Sequence, residues 1–279
     1  MATVPVFTLG VFGYAKISDI QVLLTSGNVN RDFEIPYLNP MSLPPPTGMA
    51  GAASRSRVAY AEGVINISGN LGFDVNETAM TLFDKTKLFK RGYQFPLQIF
   101  DSEKGYEVSN CFIQSLNIAG SAEGILTASI TLLGGPRSGK KENVDFRQIS
   151  IGSGGWVRDD SPIGYWASGN ANVRDWSLSM NQTLEPVYLN GINDADDRYC
   201  RYVKVGQVTY SLEVTTFEQI YEYKEVVIST KNFTLIGNTT SEGYTFGGAS
   251  DVGTFNHNFE TAVQSNSLDG SAGVIIEQT

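Results

Sequence analysis

The sequence predicts a mainly β protein of the α+β class, built from two tandem units that are each an antiparallel sandwich or partial barrel with one flanking α-helix. The first supporting observation is the alternation of apolar and polar residues over 63–75. A period of two is typical of a half-buried strand. The apolar positions of this stretch are Ile65, Ile67, Leu71, Phe73 and Val75.

A helical pattern and three further strands follow this strand. Asn76 is a suitable N-cap for a helix over 76–90, because apolar residues there recur three or four positions apart until Gly92. Alternating apolar residues then predict strands over 95–100, through Phe112 to Ile118, and over 126–132. One helix against an antiparallel sheet is therefore the predicted unit.

The second supporting observation is that parts of this pattern recur later in the chain. Four residues of the first half recur 138 positions later, namely Phe95, Leu97, Gly105 and Tyr106 as Phe233, Leu235, Gly243 and Tyr244. The YLN triplet at 37–39 recurs at 188–190, an interval of 151. The difference, 151 − 138 = 13, predicts about thirteen additional residues in the first copy, between its YLN turn and its third strand.

The second half also has its own strand and helix signals. Alternation predicts strands over 175–188 and 207–214, and a last strand is expected at 274–276. Thr215 followed by Glu218 is a capping box, which predicts a helix with Phe217, Ile220 and Tyr221 facing the core.

These signals divide the chain into three parts. The first unit is expected over 1–134, a linker rich in Gly and Ser over 135–164, and the second unit over 165–279. The 279 residues suffice for two buried cores. Cys111 and Cys200 lack a CxxC partner and are expected to be free structural thiols.

The charge balance bears on possible partners. The net charge is −9, whereas a protein that holds nucleic acid tightly needs a basic face to neutralise phosphates. A DNA-binding protein is therefore not expected, but an acidic surface would let DNA slide past without sticking. No apolar run is long enough to cross a bilayer, so no membrane anchor is expected.

A loop rich in proline over 40–58, within the first unit, is the candidate interface. Proline lacks the amide donor that a sheet ladder needs, so this segment is predicted to project from the sheet. Its apolar side chains favour packing on another subunit over a purely solvated loop. The candidate interface residues are Met41, Leu43, Pro44, Pro45, Pro46, Met49, Arg55 and Arg57.

The sequence predicts no enzyme and no cofactor or metal site. The stretch GGPRSGKK at 134–141 resembles a phosphate-binding loop, but Lys141 stands where a hydroxyl is required. The acidic turn at 193–197 lacks the Gly and Glu of a calcium loop. His257, the only histidine, has no nucleophile elbow or assignable carboxylate partner.

The order of elements resembles the tail tube protein family of tailed bacteriophages. The matching stretches are INISGNLGFDV (65–75), NETAMTLFDKTKLFK (76–90), FPLQIF (95–100) and ILTASITLLG (125–134). The resemblance implies two tail-tube-like domains in tandem, where the common pattern has one. It further implies that the domains give strands to a continuous barrel, that six domains form a ring, and that rings stack into a hollow tube through a long loop.

On this resemblance the protein is expected to be a structural virion protein of the phage tail, assembled in the host cytoplasm, and the conduit for DNA ejection. Its expected partners are copies of itself and other tail proteins, while DNA passes without specific binding. Three chains per ring are expected if both units line the channel, and six if one does.

Two other classes of function stay open. A carbohydrate-binding or other surface-binding β-sandwich would be a monomer or a small oligomer with affinity for glycans. An enzyme would need a polar cleft, and its activity would depend on His257.

Overall fold

A computed structural model describes residues 13–33, 64–83, 86–100, 105–121, 124–136, 139–142, 163–166, 169–188, 199–216, 225–229, 233–245, 254–263 and 274–278. These ranges contain one short helix, α1 (Glu77–Met80), and fourteen strands. The first seven strands are β1 (Gly13–Ile17), β2 (Ile20–Phe33), β3 (Ile65–Asp74), β4 (Gln94–Phe100), β5 (Gly105–Ser121), β6 (Thr127–Gly134) and β7 (Lys140–Glu142). The other seven are β8 (Ile163–Trp166), β9 (Gly169–Val187), β10 (Tyr202–Thr216), β11 (Glu225–Ser229), β12 (Phe233–Thr245), β13 (Thr254–Val263) and β14 (Val274–Gln278).

The first six strands form a closed antiparallel barrel in the order β1-β2-β3-β6-β5-β4, in which β4 returns to β1. Strand β7 pairs with the first part of β5. The expectation of a mainly β protein is therefore confirmed, since α1 is a single turn of helix.

The same set of seven pairings recurs among the later strands. They close a second circuit in the order β8-β9-β10-β13-β12-β11, and β14 pairs with β12 as β7 pairs with β5. One further pairing, between β5 and β9, joins the two circuits.

Two of the irregularities of register fall at corresponding places in the two circuits, whereas those between Phe95 and Leu97 and between Val205 and Val208 have no counterpart in the described strands. An extra residue bulges from β5 between Ile113 and Ser115, and another bulges from β12 between Thr239 and Ser241. Similarly, β2 bulges just after Leu24, and β9 bulges just after Val173. Bulges re-aim a strand and reset its register, so they anchor a residue-by-residue correspondence.

This correspondence corrects the repeat that the sequence predicted. Phe95 and Gly105 lie in different strands, β4 and β5, whereas Phe233 and Gly243 both lie in β12. The interval of 138 therefore compares strands with different pairings. The bulges instead give 173 − 24 = 149 for β2 and β9, and 216 − 73 = 143 for β3 and β10. On this correspondence the first circuit has about six more residues between its two strands than the second circuit has, since 149 − 143 = 6, where the sequence predicted about thirteen.

The predicted helix over 76–90 is mostly wrong, although its N-cap is right. The Asn76 Oδ1 atom accepts a hydrogen bond of 2.7 Å from the Ala79 amide, and α1 ends at Met80. The carbonyl groups that follow α1 accept hydrogen bonds from residues outside the helix. Lys87 Nζ donates to the Thr81 oxygen, and the Leu88 amide donates to the Leu82 oxygen. The apolar spacing that suggested a helix nevertheless indicates which side chains are buried. Four side chains of these turns lie in the core, namely Leu82, Phe83, Leu88 and Phe89.

The helix predicted after Thr215 is not present at its proposed start. Thr215 and Thr216 are the last two residues of β10, paired with β9 and β13. The remainder of that prediction, at 217–221, lies outside the described residues. None of the helices in the described ranges has the length and apolar character that a bilayer crossing requires.

Candidate assembly interface

Eight strands run side by side through both circuits. Their order is β2-β3-β6-β5-β9-β10-β13-β12, and every neighbouring pair is antiparallel. We call this the central sheet. It passes from one circuit to the other through the pairing of β5 with β9, and its two outermost strands are β2 and β12.

One face of the central sheet is apolar and buried. The alternation along each strand points these residues toward the strands that complete each circuit. Over the described side chains of the inner strands, the residues of this face include Ile65, Ile67, Leu71, Phe73, Ala128, Ile130, Leu132, Leu116, Ile118, Trp176, Leu178, Met180, Val208, Tyr210, Leu212 and Val214. This face is therefore the core of the protein.

Over the described side chains, the opposite face is polar and open to solvent. Its residues are half-buried or exposed and are mainly small hydroxyl and amide residues, such as Asn70, Thr131, Ser115, Asn117, Ser129, Ser177, Ser179, Asn181, Thr209 and Ser211. Four acidic residues join them, namely Asp32, Asp74, Asp175 and Glu213. Over 26–32, 66–74, 115–121, 127–133, 175–181 and 209–215, no Lys or Arg occupies a position of this face.

Among the described residues, both ends of the central sheet have an open edge. Residues 26–32 of β2 pair with β3 on one side, and no strand among the described residues pairs with the other side. Residues 241–245 of β12 pair with β13 on one side only, with the same restriction to the described ranges. An unpaired strand edge is a ready template for another strand.

The pairing of β5 with β9 is the seam between the circuits. Residues 115–121 pair with 175–181 in seven consecutive steps, from Ser115 opposite Asn181 to Ser121 opposite Asp175. By the bulge correspondence, 115–119 of β5 matches 241–245 of β12, and 175–181 of β9 matches 26–32 of β2. The two segments that meet inside the chain thus correspond to the two segments whose edges are open.

Side chains reinforce the seam from the barrel side. Gln182 is 4% exposed, and its Nε2 donates to the Ile113 carbonyl while its Oε1 accepts from the Gly92 amide at 3.1 Å. Arg91 donates a hydrogen bond of 2.7 Å to the Val205 carbonyl. Gly92 has a φ of +66°, a conformation that glycine adopts without strain. The turn before β4 is therefore held against the hairpin of β9 and β10.

A second group of contacts holds the far end of the β9–β10 hairpin. The Tyr188 hydroxyl donates to Asn66 Oδ1, and the Arg31 guanidinium lies 5.3 Å from the centre of the Tyr199 ring. Cys200 Sγ donates a long hydrogen bond of 3.7 Å to the Gly134 carbonyl. Both cysteines are free and buried, as the sequence predicted, and burial raises the pKa of Cys200 to about 11.

None of the sequence-predicted interface residues is among the described residues. Residues Met41, Leu43, Pro44, Pro45, Pro46, Met49, Arg55 and Arg57 fall outside the described residues, as does the acidic turn at 193–197. His257 lies in β13, paired with Val214 and Glu242. In the GGPRSGKK stretch the structure has strand β7, which pairs with β5 inside the range predicted as a linker.

The described surface offers little for a small ligand. Two shallow depressions of about 400 Å³ and 370 Å³ lie along the seam, lined by residues such as Asn181 and Thr209 in one and Asp175 and Glu213 in the other. Within the described ranges, His, Cys, Asp and Glu side chains do not gather into a group that could hold a metal ion.

The sequence reasoning missed the open edges, although a signal was present. The segment SGNVNRD at 26–32 alternates small polar residues with Gly, Val and Arg, a pattern too weakly apolar for an inner strand.

A scan against protein-family models finds no match, and a search of curated proteins finds no similar sequence.

Proposed function

We propose that this chain is a structural protein that joins edge to edge with copies of itself into a ring, and that such rings stack into the hollow tail tube of a tailed bacteriophage. The tube would be the conduit for DNA ejection. We further propose that the two circuits are tandem tube domains of common origin, on the support of their seven shared pairings and matching bulges.

The observation that carries this proposal is the central sheet with an open edge at each end. The two edges differ from one another, so joining them is a head-to-tail contact, which produces closed rings when the rotation per step allows it. The seam provides the template for that contact, because corresponding segments already pair inside the chain. A closed ring would leave no open edge in the central sheet.

The width of the hole requires more than one chain in the ring, and the family resemblance gives three. A barrel of about eight strands is filled by its own side chains, whereas about sixteen or more strands leave an aqueous channel. One chain closed on itself would therefore leave no passage. Three chains would place six tube domains in the ring, which is the number that the family resemblance implies.

The polar face suits the proposed channel. In a closed ring the apolar face is covered by the remaining strands of each chain, so the polar face is the one free to surround the hole. Its acidic residues and its lack of basic positions over the segments named above would repel phosphates rather than bind them. DNA would then pass without being retained.

Electron microscopy of the purified chain tests the proposal. We expect hollow tubes or rings under negative stain, and a mass of three chains for isolated rings. Six chains per ring would overturn the trimer, while a monomer at all concentrations that binds glycans would favour a surface-binding module. Deleting 41–57 adds a second test, since we expect that variant to keep its fold but to stop at rings.

A further inference from the structure

We propose that β12 of one copy pairs antiparallel with β2 of the next copy in a single register, in which Glu242 stands opposite Arg31. This inference rests on the proposed function, because it requires that copies of the chain join edge to edge. The inference goes beyond the proposed function in two ways. It assigns the contact to particular residues, and it proposes that a pair of opposite charges selects the partner edge.

The register follows from the seam. Residues of β12 lie 241 − 115 = 126 positions after their counterparts in β5, and residues of β2 lie 175 − 26 = 149 positions before theirs in β9. Transferring the in-chain pairs of β5 and β9 by these intervals defines the pairs between copies. The transferred pairs are Ser241 with Asp32, Glu242 with Arg31, Gly243 with Asn30, Tyr244 with Val29 and Thr245 with Asn28.

The chemistry of these residues agrees with the register at every step other than that of Glu242 and Arg31. The positions that correspond to the polar face receive polar residues or glycine, as in the pair of Thr245 and Asn28. The position that corresponds to Ile118 and Leu178 in the seam receives Tyr244 and Val29, an aromatic residue opposite a β-branched one. Such cross-strand pairs stabilise antiparallel sheets. A shift by one residue would place Arg31 opposite Ser241 or Gly243 and lose this agreement.

The position of Arg31 is where the two contacts differ. Its counterparts in the seam, Leu116 and Met180, are 1% and 0% exposed. At the open edges, the corresponding positions are occupied by Glu242 in β12 and by Arg31 in β2. The Arg31 guanidinium lies over the Tyr199 ring. A charge on an open edge discourages random strand addition, and an edge of opposite charge opposes it less than one of like charge. The pair therefore favours β12 joining β2 over either edge joining its own kind.

Charge reversal tests the pair. Arg31→Glu or Glu242→Arg places like charges opposite each other, so we expect each to raise the concentration needed for assembly at least about tenfold. The double variant should restore assembly. The matched controls are Lys16→Glu and Asp19→Arg, which make the same charge changes in a salt bridge at the β1–β2 turn and should leave assembly unchanged. Circular dichroism and thermal unfolding show whether each variant remains folded.

Cross-linking tests the register in variants that keep Arg31. Residues directly opposite in a sheet have Cβ atoms about 5 Å apart, so we expect a short bifunctional thiol reagent to join copies that carry Asn28→Cys and Thr245→Cys. Asp32→Cys with Thr245→Cys is the control, because these positions would lie about four residues out of register. Cys111 and Cys200 are buried and do not compete.

The outcomes separate this inference from the proposed function. If the unaltered chain assembles but charge reversal has no effect, or the two cysteine pairs cross-link equally, the register is wrong and the tube proposal stands. If the unaltered chain never assembles, the proposed function fails and the register fails with it. Rescue by the double variant together with selective cross-linking at 28 and 245 establishes the inference.

Discussion

The hydroxyl group of Tyr210 in β10 donates a hydrogen bond of 2.8 Å to the carbonyl oxygen of Phe89, which lies in the turns that precede β4. Tyr210 is 1% exposed and Phe89 is fully buried. The bond therefore crosses from the second circuit into the core of the first barrel. Together with the seam, it makes the two circuits one packed unit rather than two independent ones.

Removing this bond should destabilise the whole chain. Tyr210→Phe leaves the Phe89 carbonyl buried without its donor, so we expect the free energy of unfolding to fall by about 1–3 kcal/mol. Urea titration followed by tryptophan fluorescence measures the change. Tyr202→Phe is the control, because Tyr202 is 61% exposed and its loss should change stability by less than about 0.5 kcal/mol. Equal effects of the two variants would contradict this account.

The same residue should contribute a pH dependence at the alkaline end. Burial raises the pKa of Tyr210 to about 12, an effect that the positive charge of Arg91 partly opposes. The folded state thus holds this proton more tightly than the unfolded state, so the contribution is fully present below pH 10 and is lost as the pH rises through about 12. We expect the stability difference between the unaltered chain and Tyr210→Phe to shrink over that interval. A difference that stays constant up to pH 12 would argue against it.

Gln182 should be the most sensitive polar residue of the seam. Gln182→Ala removes both the donor to the Ile113 carbonyl and the acceptor of the Gly92 amide, so we expect a loss of about 2–4 kcal/mol. Gln207→Ala is the control, because Gln207 is exposed on the neighbouring strand and should tolerate the change. Chemical denaturation of both variants gives the comparison, and a nearly neutral Gln182→Ala would show that water replaces its partners.

The sequence alone predicts those features of the fold that depend on the apolar pattern of one strand or on neighbouring residues. The alternation at 63–75 and 207–214 predicted β3 and much of β10, because the side of a strand that faces the core must be apolar. The Asn76 cap was also predictable, since it needs only local residues. The helix after it was not, because Lys87 and Leu88 take over carbonyl groups that a longer helix would use.

The candidate interface was harder to predict for a physical reason. The match of Phe95 to Phe233 rests on residue identity. Strands of the two circuits are equivalent when they have equivalent pairing partners, and those partners are distant in sequence. The bulges at 113–115 and 239–241 carry that information, and they have no strong sequence signal. The open edge of β2 likewise becomes visible only when the partners of all neighbouring strands are known.

Mixing two assembly-defective variants should report whether the number of chains in a ring is odd or even. In a mixture of Arg31→Glu and Glu242→Arg, each variant can join the other through opposite charges but repels its own kind. Only alternating rings satisfy every contact, and alternation cannot close around three members. We therefore expect the mixture to remain defective in ring closure while the double variant assembles. Efficient closure of mixed rings, measured by native mass spectrometry, would require an even number of chains.

In the proposed tube, adding positive charge to the polar face should make the assembly retain DNA. Ser129 and Ser179 lie on this face in β6 and β9, so the variant Ser129→Lys with Ser179→Lys should bind double-stranded DNA in assembled form, and the unaltered chain should not. The affinity should fall steeply with salt, because each phosphate contact releases a counterion. Asp19→Asn with Gln94→Lys, at exposed positions away from this face, is the control, because it adds the same two units of positive charge. Fluorescence anisotropy with labelled DNA at several salt concentrations measures all three proteins. If the control binds as tightly as the Ser129 and Ser179 variant, the polar face does not surround the hole, because only lysines that line the hole on all sides of the DNA would give the Ser129 and Ser179 variant its advantage.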